Sequence, residues 1–273
     1  MSENPDRLII KTRRSMNIVT SSDSGFFHCL QVLAESVRRH YDKQLIVYDV
    51  GLTDGEKESV DAEVISIKVD SDFRDYASFW KESRQRTVHP IKTTHKPLCV
   101  IHYFHNYSEP MIFVDADCSF NERVEETGFD VGVTLRRKNR IDITNPWTGI
   151  INAGVIFFNT YAVELIDGWA AGCQKENTTD QKELAEILSE TIDWKVYNKI
   201  YDWHGIKVKV FNAAQYNDVR LKGGKIYHWK GRRHEKGIYE KLLRAHNEGK
   251  DVYELFGQLT GRNKKSWLKS LFG

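Results

Sequence analysis

Between Met16 and Val114 the chain alternates apolar runs of two periodicities, and that alternation restricts the fold more than any other feature. "MNIVT" (16–20) reads as a buried strand. After the turn cluster "SSDSG", residues Phe26, Phe27, Leu30, Val32, Leu33 and Val37 recur at helical spacing, which predicts a helix over 25–40. "QLIVYDV" (44–50), closed by "GLTDG", is a second strand, and "AEVISIKV" (62–69) alternates as a third. The stretch 71–95 is polar, basic and aromatic and reads as loop with short helices. A helix is predicted from Lys96 to Tyr107, with Pro97 in the first turn, where its missing N–H costs nothing. "MIFV" (111–114) is a fourth strand, apolar at every position. The order strand, helix, strand, strand, helix, strand predicts an α/β fold with a mostly parallel central sheet flanked by helices.

Beyond residue 120 the pattern is less regular. "DVGVTL" (130–135) and "GIINAGVIFFN" (149–159) read as strands, and "TYAVELIDGWAAGC" and "TDQKELAEILSE" as helices, the second capped by Thr178 or Thr179. "IKVKVF" (206–211) and "GKIYHW" (224–229) are short strands, and the chain from about 234 is helical, basic and aromatic. No repeat or linker forces a boundary, so the expectation is a domain over 1–233 with a helical C-terminal extension, 234–273, packed on it.

Composition narrows the class. A formal net charge of +2 is too small to point to a nucleic acid, and no nucleic-acid partner is expected. Cys29, Cys99, Cys118 and Cys173 are scattered without a Cys-x-x-Cys, which fits reduced thiols in a cytoplasmic protein. The N-terminal "MSENPDRLIIKTRR" lacks the apolar stretch of a signal peptide. The longest apolar segment, around "GIINAGVIFF", is far short of the ~18–20 residues that span a bilayer, so no transmembrane segment is expected. The tail "RNKKSWLKSLFG" mixes cations with Trp, Leu and Phe and would suit peripheral contact with an anionic membrane.

The chemistry begins where "MIFV" stops, at Asp115 and Asp117. In parallel sheets ligands bind beyond the carboxyl ends of the strands, and these carboxylates sit at one such end. Two carboxylates one residue apart stay ionised together only beside a cation, and a hard divalent metal shared with phosphate oxygens and water is the natural partner.

Five segments, in order, resemble one family. "FVDADC" resembles the Asp-x-Asp motif of GT-A-fold glycosyltransferases, the enzymes that use nucleotide-diphospho-sugars. "NIVTSSDSGFFHCLQVLAESV" resembles their first strand, nucleotide-binding loop and first helix, and "THKPLCVIHYF" the helix before the metal motif. "INAGVIFFN" and the "DQ" of 180–181 resemble the strand beside the sugar and the pair that opens a later helix. "IYHWKG" resembles the segment that closes the site, and the nearest pattern is the retaining, glycogenin-like group.

The resemblance implies a GT-A-type, Rossmann-like fold and a hexosyltransferase-type activity. A UDP-sugar is the favoured donor, and the acceptor is a glycan, lipid or protein that the sequence does not identify. Asp115, Asp117 and His228 would hold Mn²⁺ (or Mg²⁺), with Asp115 also near the donor. Imidazole among the ligands favours Mn²⁺ modestly. Lys230, the Gly231 backbone and Lys96 would meet the diphosphate. Thr20, Asp23 and Phe26 would hold the base, with Phe27 the alternative aromatic. Asn152, in an otherwise apolar strand, should face a polar ligand or a fixed backbone group. Gly154 would permit close approach, and Asp180 and Gln181 would act at the sugar.

Two other readings share these residues. A haloacid dehalogenase-like phosphatase would use Asp115 as its nucleophile, although that motif ordinarily opens its domain and here about 110 residues precede it. A non-catalytic nucleotide-sugar binder on the same fold is the second.

Overall fold

The computed structural model describes residues 16–66, 92–135, 150–175, 178–193, 196–230 and 236–250. Its centre is an eight-stranded mixed sheet in the order β3-β2-β1-β4-β7-β6-β9-β8. The strands are β1 (Asn17–Ser22), β2 (Leu45–Asp49), β3 (Ala62–Ser66), β4 (Met111–Val114), β6 (Val131–Leu135), β7 (Ile151–Phe158), β8 (Ile200–Trp203) and β9 (Ile206–Phe211). The first four are mutually parallel, as the alternation of strand and helix predicts. β7 then runs antiparallel to both β4 and β6, β9 returns parallel to β6, and β8 is an antiparallel edge.

The all-apolar run of β4 follows from its place in mid-sheet. Met111 and Phe113 face one core layer, with Cys99, Val100 and Tyr103 of α3 (Lys96–Asn106), Leu165, Ile166 and Trp169 of α4 (Val163–Cys173) and Leu184 of α5 (Asp180–Leu188). Ile112 and Val114 face the other, with Leu30, Leu33 and Val37 of α1 (Phe27–His40). A strand buried on both faces has no position for a polar side chain. Each fully buried side chain of this size stabilises the fold by about 1.5–3 kcal/mol.

Caps set the helix starts. Asp23 accepts from Gly25 N at 2.8 Å in the short 3₁₀ turn that leads into α1. Thr179, one of the two expected residues, accepts from Lys182 N and caps α5. The helix α2 (Asp54–Ser59) was not anticipated: it has no apolar face, and a reciprocal Thr53–Glu56 capping box starts it. β8, α6 (Ala213–Tyr216) and β5 (Cys118–Phe120) are also additional elements, each four residues or fewer.

Two irregularities shape the site. β5 pairs antiparallel with β10 (Ile226–His228) in a separate two-stranded sheet, with His228 opposite Cys118. Between Val133 and Leu135 of β6 the register with β7 shifts, so that Asn152, Ala153, Gly154 and Val155 bulge opposite Thr134. Bulges of this kind re-aim a strand and are common beside functional sites.

A third helix layer comes from α7 (Lys236–Asn247), which lays Tyr239 and Leu242 against Cys29 and Val32 of α1 and against Trp229. All four cysteines are buried, reduced thiols. Among the described residues no helix is long and apolar enough to cross a membrane. The stretch 67–91, residues 136–140, Gly231 and the tail from 251 lie outside the described residues.

Candidate active site

Asp115 extends β4 by one more pairing, its N–H donating to Gly154 O at 2.9 Å. The chain then turns, closed by Cys118 N to Asp115 O, and leaves along β5. Because β10 is registered on β5, and Trp229 N donates to Asp117 O at 2.8 Å, the imidazole of His228 arrives over the turn. Its Nε2 lies 3.3 Å from Asp117 Oδ1 and 3.7 Å from Asp115 Oδ2. Residues about 110 positions apart in sequence thus converge, and Asp117 and His228 are buried.

Gly154 makes that convergence possible. A Cβ built on it would lie 2.4 Å from His228 Cε1, 2.6 Å from His228 Nδ1 and 3.0 Å from Asp115 Oδ2. Its φ is outside the left-handed region, so the glycine is required for space rather than for backbone torsion. The expected close approach at this position is therefore to His228 and Asp115.

Lys96 is the second buried centre. Its ammonium lies 2.6 Å from Asp115 Oδ1 and 2.8 Å from Asp180 Oδ2, and donates to Ala153 O at 3.0 Å. Burial alone would lower its pKa, but the carboxylates of Asp115 and Asp180 outweigh that and hold it well above the usual lysine value. In the same way, burial would raise Asp115, and Lys96 and His228 together bring it below the ordinary carboxylate value. Lys96 thereby ties the end of β4 to the first turn of α5.

The chemistry of the donor set fits a divalent cation. His228 Nε2 has an Asp117 oxygen 3.3 Å away and an Asp115 oxygen 3.7 Å away, and the absence of a side chain at Gly154 lets the ring sit there. The thiol of Cys118 is also within reach, its donor atom grouping with those of Asp117 and His228 inside 4.8 Å. Its Sγ, however, is aimed at Gly154 O, 3.5 Å away. Burial, with Asp117 and Asp115 adding to it, pushes that thiol well above its ordinary pKa. Asp115 Oδ2, 3.7 Å from His228 Nε2, is the alternative third donor.

The remaining expected residues lie around this point in different states. Thr20, fully buried within β1, donates to Val114 O at 2.7 Å. Asp23 is buried with one oxygen on Gly25 N, and half-buried Phe26 packs beside the cluster of Trp229 and Tyr239. Phe27, the alternative aromatic, packs instead on the core beneath α1. Asn152 is buried, its Oδ1 accepting from Gly154 N and its Nδ2 donating to Asn217 Oδ1, both at 3.3 Å. Asp180 is buried at the start of α5 and Gln181 half-buried beside it. Lys230 is exposed just beyond β10, and its charge is among those that lower Asp115.

Asn217 was not foreseen. Its Oδ1 lies 2.8 Å from His228 Nδ1, and its Nδ2 donates to Thr134 Oγ1 at 2.8 Å and to Asn152 O at 3.3 Å. In "AAQYNDV" it reads as an ordinary loop amide, and only the spatial meeting of β6, β7 and β10 gives it a role.

No protein-family model matches the chain, and no curated protein matches it. Among solved structures it is similar to mouse xyloside xylosyltransferase 1, at 14% identity and TM-score 0.46, over 80% of this chain and 99% of that one. It is similar to the galactosyltransferase LgtC in complex with donor and acceptor sugar analogues, at 16% identity and TM-score 0.48, over 84% and 96%. A third similar structure is a glycosyltransferase involved in glycosylation of the major capsid of PBCV-1, at 11% identity and TM-score 0.49, over 81% and 98%.

Proposed function

We propose that the protein is a metal-dependent glycosyltransferase of GT-A type that moves a sugar, a hexose in the first instance, from a nucleotide-diphospho-sugar to an acceptor. UDP is the favoured nucleotide. The observation that carries the reading is that His228 Nε2 lies 3.3 Å from an Asp117 oxygen and 3.7 Å from an Asp115 oxygen at the carboxyl end of the central strand.

A divalent cation held there, Mn²⁺ before Mg²⁺, would supply Lewis-acid neutralisation of the donor diphosphate. The chain's own residues do the rest. Asp115 and Asp117 provide the hard oxygen donors, and His228 provides a nitrogen. Lys230, with the backbone at Gly231, offers positive charge to the leaving diphosphate as its charge grows. Lys96 is committed to Asp115, Asp180 and Ala153 O, so it orders the carboxylates first and reaches a phosphate only by giving up one of them.

Asp23 and Phe26 would meet the base, whereas Thr20, fully buried with its hydroxyl on Val114 O, would act only by holding β1 to β4. Asn152, Asp180 and Gln181 would act at the sugar, with one Asp180 oxygen held by Lys96. The phosphatase alternative needs an unencumbered Asp115 oxygen as nucleophile. Here Oδ1 is held by Lys96, and Oδ2 faces His228.

The test is slow release of free sugar from UDP-sugars with Mn²⁺, compared with an aryl phosphate. The proposal expects UDP-sugar hydrolysis that EDTA abolishes and that Asp117→Asn lowers by at least 10²-fold, in line with loss of one transition-state electrostatic partner. Asp115-dependent aryl phosphate hydrolysis, with UDP-sugars untouched, would overturn it.

A further inference from the structure

Asn217 ends α6, and its neighbour Asp218 is hydrogen-bonded to β10 on both sides, through its N–H to Ile226 O and through its O from His228 N. Its backbone is therefore fixed relative to His228. Its side chain is 1% exposed and makes four polar contacts. The orientation of the amide follows from those partners. The Asn152 carbonyl can only accept, so the group facing it is the NH₂ of Asn217. Thr134 Oγ1 gives its own hydrogen to the same carbonyl, at 3.0 Å, and so accepts from Asn217. Oδ1 is left facing His228 Nδ1.

An amide oxygen only accepts, so Nδ1 is the nitrogen that carries the hydrogen. An imidazole bound to a metal is neutral and has one N–H, so the lone pair is then on Nε2, the atom aimed at Asp117 and Asp115. We propose that Asn217 is a positioning residue, which holds the imidazole of His228 with its Nε2 lone pair presented to a divalent cation. Thr134 and the bulge carbonyl of Asn152 lock Asn217 itself. The inference rests on the metal site proposed above. It adds that the ligand is preorganised from β6 and β7, through a residue that does not touch the metal. Partners of metal-bound imidazoles typically contribute 10–100-fold in metal affinity.

The test uses Mn²⁺ alone and the full-length protein. Mn²⁺ affinity is measured by the loss of the free-ion electron paramagnetic resonance signal, and nitrogen coordination by electron spin-echo envelope modulation. Wild type should bind Mn²⁺ with a nitrogen modulation that His228→Ala abolishes. Asn217→Leu should weaken Mn²⁺ by 10–100-fold and lose the modulation. Asn217→Asp keeps an oxygen toward Nδ1 but loses the donors to Thr134 and Asn152. It should lower the melting temperature yet retain the modulation and bind Mn²⁺ within about threefold of wild type, a split that a merely structural role would not produce.

If Asn217→Leu does not fold, Asn217→Asp decides alone, since loss of its modulation would overturn the inference. Wild-type affinity and modulation in a folded Asn217→Leu would also overturn it, while leaving the metal site standing. Absence of Mn²⁺ binding in wild type, or a modulation that survives His228→Ala, would overturn the metal site and this inference with it.

Discussion

Gly154→Ala adds one methyl group at the tightest point of the site. The new Cβ would sit 2.4 Å from His228 Cε1, where carbon atoms ordinarily keep at least about 3.4 Å, so the ring must move by roughly 1 Å. His228 is buried, hydrogen-bonded to Asn217 and fixed to β5 by its strand, so it cannot move without cost. Overpacking of this kind costs about 1–3 kcal/mol. Removing a strand glycine returns about 0.5–1 kcal/mol by restricting the unfolded chain. The net expectation in urea unfolding without metal is a loss of about 0–2.5 kcal/mol from a protein that still folds. Disturbing the groups that orient a metal ligand typically costs 10–100-fold, so Mn²⁺ affinity should fall by at least about tenfold.

The double-mutant cycle isolates the cause. With His228→Ala in place, the nearest remaining atom is Asp115 Oδ2 at 3.0 Å, an oxygen that can give by a few tenths of an ångström. Gly154→Ala should then cost less than it does beside His228 by more than about 0.5 kcal/mol, the margin within which independent sites add. An equal cost in both backgrounds would refute the claim that the glycine exists to make room for His228.

Other outcomes follow from the same contacts. Lys96→Met leaves the buried Asp180 and the half-buried Asp115 without their cation and should cost about 3–5 kcal/mol in urea unfolding. Adding Asp180→Asn should recover part of that loss, and a Lys96→Met protein within 1 kcal/mol of wild type would contradict the role of the lysine. Cys118→Ser, measured by Mn²⁺ titration, should leave affinity within about threefold, while Asp117→Asn weakens it by more than tenfold. A large loss in Cys118→Ser would instead assign the third ligand to sulfur.

The sequence shows the parallel half of the sheet well, because β4 is buried on both faces and its neighbours alternate with amphipathic helices. The second half is less legible. Nothing in "INAGVIFFN" states that β7 runs against β4, since an apolar run carries no direction, and the bulge opposite Thr134 has no composition of its own. β5 is three residues long, below the length at which a period can be read, yet its pairing with β10 is what brings His228 to the aspartates. Asp115 and Asp117 stand out as carboxylates after a greasy strand. His228 stands out only by resemblance, and Asn217 not at all, because its role depends on three strands meeting. Lys96 reads as a possible phosphate partner in sequence, and its two ion pairs appear only in three dimensions.

The most direct test of the central claim is the thermal unfolding of the full chain with nucleoside diphosphates, with and without Mn²⁺. A nucleotide at 100 times its Kd stabilises the folded state by about 2.7 kcal/mol. At this chain length that is a rise of roughly 5–10 °C in Tm. The account predicts this rise for UDP with Mn²⁺, a much smaller one without metal, and none in Asp117→Asn. No rise with any nucleoside diphosphate at millimolar concentration in the presence of Mn²⁺, or an equal rise in Asp117→Asn, would contradict it.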